Sequence, residues 1–149
     1  MSSRQQLVRL MTNCKAIDEY IKFVRSGKIK QCHEQHLLCD MVERIFKEED
    51  LLIDQTQLDR YFSYEKYFPF KLFLWERFCF ALHNCVYKQD GELRFPNLEV
   101  FMGRGGGKNG YLAFEDFCLL TDTNNIRKYD IYTFATSEDQ AKQSWSDVY

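Results

Sequence analysis

The chain has 149 residues, of which 45% are hydrophobic and 16% aromatic, enough for one domain with a proper core and too apolar for intrinsic disorder. A net charge of −2 leaves no overall basic footprint for nucleic acid. No apolar run approaches the roughly 20 residues that cross a bilayer, and the polar stretch Met1–Arg9 lacks the apolar core of a signal peptide. A soluble, intracellular protein is expected. The six cysteines (Cys14, Cys32, Cys39, Cys79, Cys85, Cys118) include no C-x-x-C pair, so reduced, mostly buried thiols are expected.

From the N-terminus, Ile17, Tyr20, Ile21 and Val24 recur at helical spacing over residues 14 to 26, and Gly27 is a natural stop. A second helix is expected from about Cys32 to Glu48, with a stripe of Leu37/Leu38, Met41/Val42 and Ile45/Phe46. Cys32, His33, His36 and Cys39 superficially resemble a zinc set. Seven residues of helix, however, separate Cys32 from Cys39 by about 10.5 Å, too far for one ion with bonds of about 2.3 Å. A third helix begins at Asp54, which has the spacing of a capping box with Gln57 and a buried face of Leu58, Tyr61 and Phe62. Pro69 precedes the most hydrophobic helix, Lys71 to about Tyr87. Trp75, Cys79, Leu82 and Val86 lie on one side of it, opposite a narrow stripe of Glu76, Arg77, His83 and Asn84. Gln89-Asp90-Gly91 forms a turn.

The most specific stretch runs from Phe101 to Leu112, FMGRGGGKNGYL, and holds five of the seven glycines. A strand is expected before it (Leu98–Met102) and a helix after it (Tyr111–Leu120), with Ala113, Phe117 and Leu120 facing inward. Strand, glycine loop with Lys108, then helix is the layout of a phosphate-binding loop. Glycines let backbone N–H groups crowd round an anion, and a helix N-terminus adds a favourable dipole. The usual spacing is met at Gly107-Lys108, but Met102 stands where the first glycine belongs, and Asn109 replaces the hydroxyl residue that ligates Mg²⁺. An amide oxygen is also a hard ligand. After a polar link, Thr121–Lys128, a second strand is expected over Tyr129–Ala135. That would give a βαβ unit with a parallel pair. Ser137 and Gln140 read as a capping box for a last helix running on through Tyr149. The fold class is therefore α/β and predominantly helical: an N-terminal helical layer (1–66), then an incomplete P-loop NTPase unit (67–149).

With these residues in place, the sequence resembles the N-terminal part of a tailed-bacteriophage terminase large subunit, the ATP-driven motor and nuclease that packages viral DNA. Phe68-Pro69-Phe70-Lys71-Leu72-Phe73-Leu74-Trp75-Glu76 is similar to the family's adenine-side motif of proline, leucine and Trp-Gln. The Asp90-Gly91 turn and Arg94-Phe95 follow, and Gly103-Arg104-Gly105-Gly106-Gly107-Lys108 has the arginine typical of terminase loops. Ala135-Thr136-Ser137-Glu138-Asp139-Gln140-Ala141 is similar to the Ala-Thr/Ser-x-x-Gln-Ala segment, and Ser26-Gly27-Lys28-Ile29 to a short N-terminal element. The resemblance covers roughly residues 14 to 149.

It implies ATP and Mg as cofactors. Lys108 would neutralise the β- and γ-phosphates, Gly103 and Gly105–Gly107 would cradle them, and Arg104 would sense the γ-phosphate. Asn109 would hold the metal, and Trp75 and Glu76 would lie beside adenine. Glu76 replaces the usual Gln and cannot donate to adenine N7. No strand ending in the acidic Walker B residue follows Ala135; Cys118-Leu119-Leu120-Thr121-Asp122 superficially resembles one but is expected in the helix after the loop. The nuclease domain is absent as well, so the expectation is a truncated, ATP-binding portion that does not hydrolyse ATP on its own. The implied partners are viral double-stranded DNA, the small terminase subunit and the portal protein in the host cytoplasm, with no membrane, and a homo-oligomeric ring for a full-length protein only. The competing expectation is a non-catalytic interaction module that binds packaging partners. A third takes Arg104-Gly105-Gly106-Gly107 as a nucleic-acid contact.

Overall fold

The computed structural model describes residues 12–142. In chain order these form α1 (Lys15–Arg25), α2 (His33–Glu48), β1 (Leu52–Ile53), α3 (Gln55–Ser63), a 3-10 turn (Tyr64–Tyr67), α4 (Leu74–Cys85), β2 (Val86–Tyr87), α5 (Lys108–Leu120), a second 3-10 turn (Asp122–Asn124) and α6 (Glu138–Lys142). The chain divides into two compact units, each assembled from separated stretches. The first runs to Gln55 and resumes over Leu74–Pro96; the second takes Thr56–Phe73 and the chain from Asn97 onward. The expected boundary between 66 and 67 falls inside the second unit.

In the first unit, α1 packs along α4 and α2. Ile17, Tyr20, Ile21 and Val24 are buried as their spacing predicts, and the Tyr20 ring lies 4.4 Å from that of Phe78. The helix stops where expected, with Gly27 just beyond its end at φ 65°. At the start of α2, Gln35 Oε1 accepts the Cys32 N–H (2.9 Å) while Gln35 Nε2 donates to the Tyr20 hydroxyl (3.1 Å). One side chain thus satisfies an orphan helix amide and ties α2 to α1. The buried stripe of α2 is narrower than expected. Cys39 and Val42 are buried, whereas Leu37 and Met41 are 51% and 37% exposed.

Helix α4 is largely buried, as its composition requires, but its polar stripe is not a solvent face. Glu76 and Asn84 are both buried, and Trp75 and Cys79 are only half-buried. The helix ends at Cys85, and the β-branched Val86 leads into β2, which pairs antiparallel with β1 (Leu52 opposite Tyr87, Ile53 opposite Val86). The Gln89–Gly91 turn forms as expected, with Gly91 at φ 87° and its N–H donating to Lys88 O at 3.0 Å. Arg94 then donates twice to the Glu49 carboxylate (2.5 and 2.8 Å), and this holds Glu49 below the usual carboxylate range.

The second unit is built round aromatic rings. Phe68 meets Phe70, Phe114 and Phe117 at centroid distances of 5.3, 5.5 and 5.5 Å. Leu58 and Tyr61 of α3 are buried as predicted. Gln57 Nε2 donates to Thr123 O at 3.1 Å, tying α3 to the turn after α5. The inward face of α5 is Tyr111, Ala113, Phe114, Glu115 and Cys118. Of the expected face, Ala113 is buried, Phe117 half-buried and Leu120 47% exposed.

The two expected parallel strands do not form. Residues 98–102 and 129–135 belong to no strand, and Phe101, Tyr132 and Phe134 are 91%, 75% and 90% exposed. Among the described residues the sheet is the antiparallel β1–β2 pair, so there is no βαβ unit. The reason is physical. A parallel pair is stable when its faces are covered and further strands join it, and apolar side chains on bare extended backbone supply neither. The fold is therefore mostly helical with one small antiparallel sheet. At α6, the Gln140 N–H donates to Ser137 Oγ (3.3 Å), but Gln140 Oε1 accepts from the Thr136 hydroxyl (2.6 Å), so half of the expected capping box forms. The expected continuation through Tyr149 lies outside the described residues. No helix among the described residues is long and apolar enough to cross a membrane.

Candidate phosphate-binding loop

The glycine segment of the second unit ends as the N-terminus of a thirteen-residue helix, α5. Its form follows from its glycines. A turn at Arg104–Gly105 places Gly105 at φ 82°, the left-handed conformation that a type II turn demands of its third residue. Gly107 caps α5 at φ 92°, ψ −2°. A side chain at either position would be strained. At Gly106 an added Cβ would stand 2.4 Å from Met102 Sδ. Met102, found where the first loop glycine is expected, therefore packs into the space that glycine 106 leaves.

Lys108 is the first residue of α5, and its side chain turns back across the loop. Nζ donates to Met102 O (2.9 Å) and to Gly103 O (3.1 Å), which ties the incoming limb to the helix start and closes the loop on itself. An ammonium has three N–H donors, so one remains for an external acceptor. Because the cap residue is glycine, no side chain caps α5. The N–H groups of Lys108, Asn109 and Gly110 have no intrahelical acceptor and lie at the positive end of the helix dipole. Among the described residues neither Arg104 nor Lys108 forms an ion pair. Two uncompensated cations, a left-handed glycine cap and a free helix N-terminus together suit an anion of more than one charge.

Gly103, Arg104, Gly105, Gly106, Gly107, Lys108 and Asn109 are thus brought together in one unit, with Arg104 and Asn109 exposed. Trp75 and Glu76 belong to the other unit, at the start of α4, where Glu76 is 2% exposed. Cys118–Leu120 lies in α5 and Asp122 in the turn after it, as expected for the stretch that superficially resembles an acidic strand. For a magnesium ion, Asn109 offers an exposed amide oxygen at the first turn of α5. Among the described residues no group of three or more His, Cys, Asp or Glu side chains could hold a metal ion, so a magnesium ion here would rest mainly on water and phosphate oxygens.

Sequence reasoning passed over one neighbour of the loop and took the carboxylate pair Glu115/Asp116 for a solvated face. The Phe70 ring lies against Gly110, where an added Cβ would meet Cζ at 3.3 Å and both ε carbons at 3.6 Å. A glycine within the first turn of a helix is the signal that could have shown this close approach. The acidic pair on α5 is not a solvated face. Glu115 is buried and accepts the Tyr111 hydroxyl at 3.0 Å. Burial, with the adjacent Glu115 second, pushes the Asp116 carboxyl up from 3.8 to about 6.

The folded protein therefore holds the Asp116 proton more tightly than the unfolded chain, and its stability falls as pH rises from 3.8 to about 6. Asp116→Asn removes this dependence. Compared by thermal melts at about pH 4 and about pH 7, the variant should gain about 1 kcal/mol at the higher pH, once solvent screening of this half-exposed group is allowed for. Equal shifts at both pH values would contradict the assignment. No protein-family model, no curated protein and no solved structure matches the chain.

Proposed function

We propose that the Gly103–Lys108 loop and the first turn of α5 bind the phosphates of ATP, and that the chain is the ATP-binding portion of a DNA-packaging ATPase of the terminase large-subunit type. The observation that carries the first part is the Lys108 ammonium, which closes the loop through two backbone carbonyls and keeps one donor spare beside uncapped helix amides. The second part rests on the ordered resemblance from Phe68 to Ala141. In this reading Gly105–Gly107 let the backbone approach the phosphates, Arg104 meets the terminal charge, and Asn109 supplies an oxygen to a magnesium ion, which when bound neutralises phosphate charge. Trp75 and Glu76, which the resemblance implies for the adenine side, belong to the other unit, and the phosphate reading does not rest on them. Viral DNA, the small subunit and the portal protein, encountered in the host cytoplasm, are the partners that go with this reading. These residues bind rather than cleave, because no acidic strand among them prepares a water.

The test is thermal unfolding with and without Mg-ATP. A ligand at about 100 times its Kd stabilises the native state by about 2.7 kcal/mol, so a clear rise in melting temperature is expected, with no appreciable phosphate release. An unchanged melting temperature at millimolar Mg-ATP would overturn the nucleotide reading. It would favour instead a non-catalytic interaction module, the reading supported by the exposed Phe101, Tyr132 and Phe134.

A further inference from the structure

The loop has a support that lies outside it in sequence. Glu65, in the 3-10 turn after α3, is 7% exposed, and its Oε1 accepts the backbone N–H of Leu72 at 2.8 Å. A buried carboxylate on an amide is a strong, directional hydrogen bond. It pins the segment from Phe68 to Leu72 at its far end. Between these residues, Pro69 stiffens the backbone, and Phe68 packs edge-on against Phe114 and Phe117 of α5. The segment is thus held at both ends, and its middle residue, Phe70, packs against Gly110 in the first turn of α5. That turn contains the amides and the lysine of the loop.

We propose that Glu65 is a positioning residue for the phosphate loop: by holding the Phe68–Leu72 segment it sets Phe70 against Gly110, and so sets the first turn of α5 and the direction of Lys108. The ligand is the phosphate group already assigned to the loop, so this proposal rests on that reading for its functional consequence. Glu65 touches no ligand. Its effect passes through backbone and ring, and a loop displaced by about 1 Å loses much of its binding, since preorganised geometry is what such a site supplies. The absent Cβ of Gly110 is part of the same device, because a methyl there would push on the ring that Glu65 holds in place.

The experiment uses the full chain and two readouts, Mg-ATP affinity by equilibrium titration and hydrogen exchange in peptides covering 102–112 and 15–25. Glu65→Ala should weaken Mg-ATP about tenfold and speed exchange over 102–112 while leaving 15–25 unchanged. Glu65→Gln keeps an acceptor oxygen at the same place and should stay within about twofold of the wild type. Gly110→Ala should weaken binding as Glu65→Ala does, and Phe70→Leu should partly restore it in the double variant by removing ring atoms from the contact. Unchanged affinity and exchange in a folded Glu65→Ala protein would overturn the proposal. So would equal loss in the Gln and Ala variants, which would mean that the carboxylate acts by its charge alone. If the wild type binds no Mg-ATP, the nucleotide reading fails, and exchange over 102–112 still decides whether Glu65 positions the loop. If Glu65→Ala does not fold, the coupling between Gly110 and Phe70 decides, and simple additivity there would overturn the proposal.

Discussion

Lys108→Ala is expected to weaken Mg-ATP binding about a hundredfold, or about 2.8 kcal/mol, with little change in helix content by circular dichroism. Two losses combine. The spare N–H no longer meets a phosphate oxygen, and charge-assisted bonds of this kind are the strong ones. The ties to Met102 O and Gly103 O are also cut, so the loop must be ordered at the moment of binding. Fluorescence titration with a labelled nucleotide would measure the effect. An affinity within twofold of the wild type would mean that phosphates, if bound, sit elsewhere.

Phe114→Ala is the substitution with the largest expected effect on folding. Phe114 is fully buried in α5 and meets the Phe68 ring edge-on at 5.5 Å. Removing a buried phenyl ring costs about 3–5 kcal/mol, through lost transfer energy and the cavity left behind. The second unit is small, so its melting temperature should drop by more than about 12 °C. Hydrogen exchange should rise in peptides from α5 and α3 before it rises in α1, because the lesion lies in the unit that α1 does not belong to. A loss below about 1 kcal/mol would show that neighbouring rings close over the gap.

Much of the helical layer could be read from the residues, because each signal there is local. Ile17, Tyr20, Ile21 and Val24 all face inward, and Gly27 ends the helix they define. Apolar residues nearly encircle α5, from Tyr111 and Leu112 to Leu119 and Leu120, so periodicity alone could not choose its phase. The core took Phe114 and Cys118 and left Leu120 outside. Burial of Glu76 and Asn84 was hidden for a different reason. A buried polar group needs partners, and a sequence does not display them. The strands failed for a third reason. Leu98–Met102 and Tyr129–Ala135 have the composition of strands, but β-propensity is a fit to a surrounding sheet and not a property of the segment alone. The bends at the glycines were legible because glycine number and position constrain backbone shape directly, although α5 begins at Lys108 rather than at Tyr111, whereas the Glu65–Leu72 and Phe70–Gly110 contacts join residues that no spacing rule connects.

The interleaving of the two units also bears on how the chain is made. A ribosome delivers residues in order, so the first unit has all its described parts once Pro96 has emerged, although Thr56–Phe73 already lies within that length and must wait. That waiting stretch contains the apolar Leu58 and Tyr61, and also Phe68 and Phe70, whose contacts with Phe114, Phe117 and Gly110 of α5 cannot form until that helix emerges. Nascent chains stalled with Pro96 just outside the ribosome should therefore expose a hydrophobic segment that a chaperone can bind. Extending the chain until Leu120 has also emerged should hide it. Thus the emergence of α5, rather than completion of the first unit, is the step of synthesis that covers this segment.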